Sequence, residues 1–520
     1  MATTRTRRAW TRATRWALLV GLAVAAATGA RADSGGVPVF TDGVASGDVT
    51  ATAAILWTRI DRDANVKVEV WTNPHLQGMK AFQQTVPHAS PAHDFTIKVD
   101  ATGLTPGTTY YYRFKHDDTD GASFSEIGTF RTAPSPDVPA DLRFTFSGDA
   151  DGTRTASGAP AFNQFETLDA ARLEGGAFFV FDGDTIYSDS RFRSGGPATT
   201  LADYQAAHRE NRGYAALRAL LASTSVYATM DDHEVVNDFD AQTGDPARFA
   251  AGRQAFLDYY PIRETGLLHD ATCAGDPLYR TFRWGSEVEV FLLDQRSCRS
   301  TSAAVACQGD LVPTLPGAVR TSFGLPAAPP AGCLAAVFDP ARTLLGPVQK
   351  AQFTADLAAS TARWKVVVSQ EPVQQFHVLP YDRYEGYAAE RAELLTFIQQ
   401  HGIAGVQFLS TDIHATLLNQ VAIDRFAAPA PVAVELVTGP IAAVTYEQQV
   451  LAFGGPAALQ AVYALLSLDG VDCRHLNRNS YGLVEASASG GALRLSSKDQ
   501  HGALVVDPTT SGQCTLTQGP

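Results

Sequence analysis

After its N-terminal segment the sequence has no long apolar run, no closely spaced cysteines and a shortage of positive charge. Without another apolar run of about 20 residues, we expect no stable membrane span. The absence of C-x-x-C pairs excludes the common structural type of zinc site. Lysine and arginine number 41 against 54 acidic residues. This acid excess argues against binding to a nucleic-acid backbone and is compatible with bound metal cations.

The first residues differ from the rest of the chain. Residues 1–32 hold six arginines and no acid, and WALLVGLAVAAA is an apolar run too short to span a bilayer. GARADS supplies a small-x-small site, so we predict a secretory signal cleaved near Ala32. The pattern TRRAW resembles a twin-arginine signal, with an ordinary Sec signal as the alternative. We therefore expect the export machinery as a partner and a periplasmic or secreted protein, whose net charge falls from −13 to −19 on cleavage.

Six widely spaced cysteines indicate disulfides if the protein is exported. An even count allows several pairings, and the spacing does not choose among them. Three cysteines flank the Pro- and Gly-rich insert at 299–340, an exposed place for at least one bond that closes after export. The cysteines are Cys273, Cys298, Cys307, Cys333, Cys473 and Cys514.

Composition divides the rest of the chain into two regions. Residues 33–134 contain short β-branched and aromatic runs such as AAILWTRI and TYYYRFKHD, which predict an all-β sandwich of the immunoglobulin or fibronectin type. Residues 135–141 form a Pro-punctuated linker. From 142 to 520, buried-strand runs alternate with helical segments, which predicts an α/β domain interrupted by an irregular insert at 299–340.

Polar residues that suit metal binding follow four of the apolar runs, LRFTFSG, AFFVF, VYATM and VQFLST. In open α/β folds, ligands collect at the carboxyl ends of the strands. Converging carboxylates need cations, and oxygen and nitrogen ligands suit iron, manganese, calcium or zinc. The residues after these runs are Asp149, Asp151, Asp182, Asp184, Tyr187, Asp231, Asp232, His233, Glu234, Asn237, Asp412 and His414.

Each motif alone has a simpler explanation. Asp-Gly-Asp after a strand is commonly a solvated turn. Asp231 and Asp232 could cap a helix that carries His233 on its surface. The spacing Asp412-x-His414 also recurs by accident. The order of the motifs, each after a strand, is more specific than any one of them.

The combined set resembles the PhoD-like alkaline phosphatases of the calcineurin-like metallophosphoesterase superfamily. GDTIY, DDHE with a later Asn, LLDQR, LLGPVQKAQF, WKVVVSQEPV, YEGYAAERAELL and LSTDIH occur in that family's order. The resemblance covers nearly the whole chain, although 425–520 matches only loosely. It implies an α/β catalytic domain of four α-β-β-α layers, preceded by the β-sandwich domain, with a binuclear or larger metal centre.

The resemblance also implies roles for individual residues. Asp184 corresponds to a carboxylate that bridges two metals, and Tyr187 to a phenolate ligand of a ferric ion. Asp232 stands at a metal-ligand position, and His233 at that of the histidine that protonates the leaving group. Fe³⁺ with Ca²⁺ is the favoured metal set, with Zn²⁺ or Mn²⁺ as alternatives.

The remaining implied ligands include one departure from the family pattern. Asn237 corresponds to a ligand of a second cation such as calcium, and Asp412 with His414 to the last metal-binding block. The family often has S-C-Q after the first strand, where this chain has SGDADG. Asp149 is the first candidate to replace that cysteine ligand, and Asp151 is the second.

Three further side chains have alternative interpretations. Arg296, after LLDQ, could bind a phosphate oxygen, or it could pair with Asp294 or another acid. Glu371 could bind calcium or form a salt bridge at a strand end. We interpret Asp189 as a cap for the residues that follow it.

These features predict an exported, metal-dependent phosphoesterase that hydrolyses phosphomonoesters, phosphodiesters or both. A hydroxide bridging the metals would be the nucleophile, and His233 the general acid. The substrate could be a small molecule, a lipid or a polymer. Phospholipase D-like or phosphotriester hydrolysis at the same site is an alternative. A non-catalytic surface-binding protein is the alternative from another class, and it predicts loss of the ligand set.

Overall fold

The structure is a computed structural model that describes residues 37–519, so the predicted signal segment and Ala32 lie outside the described residues. The strands are β1 (Phe40–Gly47), β2 (Ala53–Ile60), β3 (Val66–Trp71), β4 (Phe82–Val86), β5 (Thr96–Thr102), β6 (Thr109–Asp118), β7 (Gly121–Phe124), β8 (Gly128–Arg131), β9 (Leu142–Ser147), β10 (Phe178–Asp182), β11 (Ser225–Thr229), β12 (Arg280–Trp284), β13 (Val288–Leu292), β14 (Trp364–Val368), β15 (Val406–Ser410), β16 (Thr416–Asp424), β17 (Ala428–Val437), β18 (Cys473–His475), β19 (Ser480–Ala486), β20 (Leu493–Asp499) and β21 (Thr515–Gln518). The helices are α1 (Glu166–Leu173), α2 (Leu201–Arg212), α3 (Ala215–Ser223), α4 (Pro246–Tyr259), α5 (Gly317–Ser322), α6 (Cys333–Val337), α7 (Gly346–Ala359), α8 (Ala388–Gln400) and α9 (Tyr446–Leu468).

The N-terminal region is rich in β-structure, as its composition predicts. Its small sheet has the order β4-β3-β6-β7, and β8 also pairs with β6. In β6, Tyr110, Tyr112 and Phe114 are buried while Tyr111 and Arg113 between them are partly exposed. This alternation places the aromatic rings on the core face of the sheet.

A nine-stranded sheet joins this region to the α/β region. Its order is β21-β20-β19-β9-β10-β11-β1-β2-β5. Strands β9, β10 and β11 are parallel, and β1 continues the parallel set because Ser46 pairs with Ser225. The sheet thus runs across the linker predicted at 135–141, and the domain boundaries stay a prediction.

A seven-stranded sheet, β12-β13-β14-β15-β17-β16-β18, forms the second large sheet. Its central strands β13, β14, β15 and β17 are parallel. One apolar cluster combines Phe144 and Val180 of the nine-stranded sheet with Val290 and Val366 of the seven-stranded sheet. The two sheets therefore share a core, which brings the ends of their parallel strands together.

Helices pack against each large sheet, and each sheet forms its own apolar cluster with its helices. Leu168 of α1 and Leu217 of α3 pack with Phe181 of β10. On the other sheet, α7 and α8 pack against β13, β14 and β15. Helix α8 follows its predicted pattern, since Leu394 and Ile398 are buried and Gly402 after its end has φ of +60°. The chain is therefore an α/β protein of mixed sheets with helices.

Three disulfides connect the six cysteines. They are Cys273–Cys298, Cys307–Cys333 and Cys473–Cys514. The bond expected in the insert is present, but it is not exposed: Cys307 and Cys333 are fully buried beside Ala303 and Val337. The insert is also not wholly irregular, since it contains α5 and α6.

Helix α9 corrects the expectation that the sequence has no long apolar segment after its N-terminus, but not the expectation that the protein has no stable membrane span. Among the described helices, α9 is long and apolar enough to cross a membrane by length and composition alone. Only 17% of its most apolar 18-residue stretch is buried by the rest of the protein. Such a helix alone is weak evidence for a membrane span. Sequence pattern does not indicate one long helix here, because Gly454, Gly455 and Pro456 interrupt the apolar segment. Gly455 has non-helical backbone angles in the structure.

Candidate metal centre

The candidate ligands follow parallel strands of both large sheets. Asp149 follows β9, Asp184 follows β10 and Asp232 follows β11 in the nine-stranded sheet. Asp412 and His414 follow β15 of the seven-stranded sheet. Since the sheets pack face to face, acids predicted from separate motifs meet at one edge.

Four of these residues have left-handed backbone angles. The φ values are +61° for Asp149, +48° for Asp184, +62° for Asp412 and +55° for His414. Residues other than glycine adopt this region at an energetic cost, and such residues cluster at functional sites. Gly183 is left-handed too, and a Cβ there would lie 2.6 Å from Cβ of Asp231.

Asp149, Asp184 and His414 form the first donor group. One possible ligand atom from each lies within 4.8 Å of the other two. The Tyr187 hydroxyl is 2.7 Å from Nε2 of His414, so the predicted phenolate ligand faces this group. Nδ1 of His414 is 2.5 Å from the carbonyl oxygen of Val444, which assigns the proton to Nδ1 and leaves Nε2 as the acceptor.

Asp184, Asp232 and His233 form the second donor group, by the same distance criterion. Asp184 therefore belongs to both groups, as a bridging carboxylate must. The main-chain N–H of His233 donates to Oδ1 of Asp184 at 3.1 Å, which fixes the carboxylate between the two loops.

The charges of the first two groups suit bound cations. Both Asp149 oxygens and Oδ1 of Asp232 are buried without a hydrogen-bond partner among the described residues. Burial, followed by the charge of Asp231, raises the pKa of Asp149 well above its ordinary value, and burial with Asp232 does the same for Asp184. Burial lowers the pKa of His414 to about 4, so its ring is neutral, as a metal ligand must be. Oxygen and nitrogen donors of this kind fit hard or borderline metals.

Asp151 differs from Asp149 in having partners of its own. It accepts hydrogen bonds from the N–H of Thr153 at 2.9 Å and the hydroxyl of Ser190 at 2.7 Å. Of the two candidates left open by SGDADG, Asp149 is the one that lies in a donor group.

His233 is held by Asp189, the residue that the sequence predicts to be a cap. Nδ1 of His233 lies 2.6 Å from Oδ1 of Asp189, and the imidazole stacks on Tyr187 with ring centroids 4.0 Å apart. The contacts of Asp189 differ from the predicted cap, because its two oxygens bond to His233 and to the N–H of Asn237 rather than to the residues that follow it.

Although burial acts in the opposite direction, Asp232 and Asp189 raise the pKa of His233 to about 10. The ring is therefore a cation at neutral pH, which leaves Asp184 and Asp232 as the metal donors of the second group.

Asn237 lies at the surface of the site. It is exposed, and its main-chain N–H donates to Oδ2 of Asp189 at 2.8 Å. Its contact with the site is therefore through the main chain, and the ligand role of its side chain stays a prediction.

A different acidic cluster lies beside the donor groups and contains arginines. Arg296 is fully buried, and its guanidinium contacts Asp231, Glu371 at 2.5 Å and Asp382 at 2.8 Å. Arg299 also pairs with Glu371 and Asp382. Of the roles considered for Arg296, pairing with acids is the one these contacts support. No sequence motif marks Asp382 as a partner of these arginines.

Glu371 forms the predicted salt bridge. It also lies with Asp231 and Asp412 in a third possible donor group, so its calcium role stays a prediction.

Glu234 connects the loops that follow β10 and β11. Its carboxylate accepts from the N–H of Thr185 at 2.5 Å, the Thr185 hydroxyl at 2.6 Å and the N–H of Asp231 at 2.7 Å. These bonds hold the Asp184 loop against the loop that carries Asp232. Glu234 can orient both loops because it lies two residues after Asp232 and reaches the N–H of Thr185.

Comparisons with known proteins identify a family for this chain. A family profile described as "PhoD-like phosphatase" matches residues 154–495, and one described as "PhoD-like phosphatase, N-terminal domain" matches residues 24–134. The chain is 27% identical over 416 residues to Alkaline phosphatase D of Bacillus subtilis (strain 168), a match that covers 74% of this chain and 66% of that relative.

Two solved structures share the fold. "Structure of PhoD" aligns with a TM-score of 0.72 at 23% identity, covering 92% of this chain and 90% of that one. A purple acid phosphatase, PPD1 from yellow lupin (Lupinus luteus) seeds, aligns with a TM-score of 0.55 at 11% identity, covering 93% of this chain and 74% of that one. The match over 154–495 spans more than half of the sequence, and the chain therefore belongs to the PhoD-like phosphatase family, a family of phosphoesterase enzymes.

Proposed function

We propose that the protein is an exported, metal-dependent phosphoesterase that hydrolyses phosphomonoesters, phosphodiesters or both. The observation that carries the proposal is Asp184, which belongs to both donor groups. Beside it, both oxygens of Asp149 and Oδ1 of Asp232 are buried and accept no hydrogen bond from the described residues. Buried carboxylates without a counter-charge are costly, so cations are the fitting occupants.

Within this proposal, Asp149, Asp184, Tyr187 and His414 hold one cation, and Asp184 with Asp232 holds a second. Fe³⁺ beside Ca²⁺ is the favoured pair, because a phenolate suits ferric iron and carboxylates suit calcium; Zn²⁺ and Mn²⁺ are the alternatives. A bound pair of cations supplies charge stabilisation and activates water at neutral pH.

The chain's own residues supply the proton. His233 is protonated at neutral pH, and its Nδ1 is held by Asp189. Nε2 is then the nitrogen that can donate a proton to the oxygen leaving phosphorus, as a general acid does. Stacking on Tyr187 fixes the plane of the ring. Asp189 is thus a positioning residue, and His233 is the catalytic acid.

The finer architecture and location belong to the same proposal. The separate clusters on each large sheet support a four-layer α-β-β-α catalytic unit. The alternating burial of β6 supports an immunoglobulin-like N-terminal part. The arginine-rich segment and GARADS support export with cleavage near Ala32.

Hydrolysis of nitrophenyl phosphate and bis-nitrophenyl phosphate tests the proposal. We expect the wild type to hydrolyse at least one, and Asp184→Asn to lose about 10³-fold or more in kcat, since one substitution weakens both donor groups. Asp169→Asn, an exposed aspartate on α1, is the matched control and should keep full activity. Metal-loaded wild type that hydrolyses neither ester would refute the esterase and favour a non-catalytic binding protein.

A further inference from the structure

A large apolar cavity opens between α9 and the disulfide-bonded insert. Its volume is about 850 Å³, within the range of small-molecule binding sites. Its walls come from the insert, from the segment after β14 and from the second half of α9. The principal apolar side chains are Leu311, Leu315, Phe323, Val378, Val462 and Leu465.

The cavity offers no free charge to a ligand. Arg320 and Asp310 are the charged residues of its described lining, and they pair at 2.7 Å. Arg320 is only 1% exposed, and its remaining donors bond to the carbonyl oxygens of Val312 at 2.7 Å and Pro326 at 2.8 Å. A charged ligand would therefore lose its hydration without gaining a partner.

Exposed apolar side chains surround the cavity mouth and continue along α9. Leu311 is 47% exposed and Leu325 is 38% exposed in the lining itself. Further along α9, Phe453 is 84% exposed and Leu451 is 38% exposed, next to the kink at Gly455. The helix carries one charged residue, Glu447, and no lysine or arginine. Exposed apolar side chains at the rim of a cavity mark an interaction site.

We propose that this cavity binds the hydrocarbon chain of an uncharged or zwitterionic amphiphile. The uncharged lining fits a hydrocarbon chain, whereas a protein partner is ordinarily met by a polar rim and paired hydrogen bonds. The net charge of −13 disfavours an anionic amphiphile. The exposed residues of α9 then contact the rest of the amphiphile outside the cavity.

The cavity is connected to the candidate metal centre through one loop. Ile413, between Asp412 and His414, packs in the same apolar cluster as Val378 and Val462. The N–H of Tyr446, the first residue of α9, donates to the carbonyl oxygen of His414 at 3.0 Å. A bound chain would thus lie behind the loop that holds two candidate ligands, although its binding does not depend on the esterase.

Calorimetric titration with dodecyldimethylamine oxide below its critical micelle concentration tests the proposal. This zwitterionic probe contains no phosphorus, so its binding is independent of phosphoester hydrolysis. Ala461→Trp and Ala458→Trp place an indole in the cavity, because both alanines line it. Ala464→Trp is the matched control, an exposed alanine of α9 outside the lining.

We expect saturable binding by the wild type and Ala464→Trp, and at least tenfold weaker binding by Ala461→Trp and Ala458→Trp. Thermal melting identifies a variant that fails to fold, and the second variant then carries the test. Absence of saturable binding to the wild type, or equal binding by folded cavity-filled variants, would overturn the proposal. Sedimentation that shows a dimer broken by Ala461→Trp, without probe binding, would instead assign the cavity to a second copy of the chain.

Discussion

Two acidic clusters meet at the same strand ends, and they are neutralised in different ways. Around Arg296, four carboxylates pair with buried guanidinium groups of the chain itself, and the most distant of them is Asp232 at 3.8 Å. Around Asp184, the oxygens of Asp149 have no partner among the described residues.

Arginine neutralises much of the first cluster, although Oδ2 of Asp231 and Oε2 of Glu371 accept no hydrogen bond from the described residues. The second cluster contains no arginine and depends on cations from outside. A cluster of buried acids therefore indicates a metal site only where no nearby arginine neutralises the carboxylates.

We expect the largest effect from removing the guanidinium of Arg296, the cation that the chain itself supplies to the first cluster. Arg296→Met leaves buried Asp231 without its guanidinium partner. Glu371 and Asp382 then share Arg299 alone. We therefore expect the free energy of unfolding to fall by about 3–5 kcal/mol. Chemical denaturation measures the loss.

Arg363→Met is the control, because Arg363 is 43% exposed in its pair with Glu287 and should contribute no more than about 1 kcal/mol. Equal losses in the two variants would contradict the distinction between the clusters.

Removing metal from the Asp184 cluster with a chelator should make the stability of the protein depend more strongly on pH. In metal-free protein, the pKa values of Asp149 and Asp184 are raised above the unfolded value of about 3.9. The folded state then binds more protons than the unfolded state, so stability falls as pH rises above about 4. Each unit by which a pKa is raised costs about 1.4 kcal/mol at high pH.

Melting curves at pH 5 and pH 8, with and without chelator, measure this effect. We expect the chelated protein to melt lower at pH 8 than at pH 5, and the metal-loaded protein to lose much less. His233, whose raised pKa of about 10 also favours the folded state at lower pH, acts in the same direction. Identical pH profiles in both states would show that the Asp184 cluster is neutralised without metals.

The pair formed by His233 and Asp189 is a third case, in which a protonated histidine of the chain neutralises a carboxylate. Asp189→Asn should lower kcat by about 10- to 100-fold, since the ring loses its orienting carboxylate. The pKa of His233 should also fall, which moves the alkaline limb of kcat to lower pH. Kinetics across pH values measure both effects. Asp189→Glu keeps the charge and should retain the alkaline limb; a profile shared by both variants would refute the positioning role.

The smallest expected effect on stability comes from Tyr187→Phe. The phenyl ring keeps the stack on His233, and only the hydrogen bond to His414 is lost, so the change should stay below about 1.5 kcal/mol. If iron is bound, the wild type absorbs visible light through the phenolate and the variant does not. A coloured variant would remove Tyr187 from the proposed iron ligands.

Most strands and their polar ends could be predicted from local pattern. Asp149, Asp184 and Asp232 stand directly after apolar runs that form β9, β10 and β11, so periodicity and strand order bring them together. The salt bridges of Arg296 could not be predicted. Asp382 lies 86 residues away in a loop without a motif, and its pairing depends on how the sheets pack.

The sheet connections and disulfides were also beyond reach of the sequence. Pairing of β1 with β11 joins segments separated by most of the N-terminal half, and local composition carries no signal for such a contact. Asp189 and Asn237 show a related limit. Both lie in motifs that indicate a site, but which atom contacts the site is decided by the turn geometry of the folded loops.

The order of the nine-stranded sheet has a consequence for how the chain is made. Strand β9 pairs with β19, while β11 pairs with β1 on the other side of the parallel set. During translation, the edge of β9 stays open until residues near 480 have left the ribosome, because their partner strand does not yet exist. Contacts of such long range also slow folding. Assembly of the site around Asp149 therefore cannot be completed before β19 has been made.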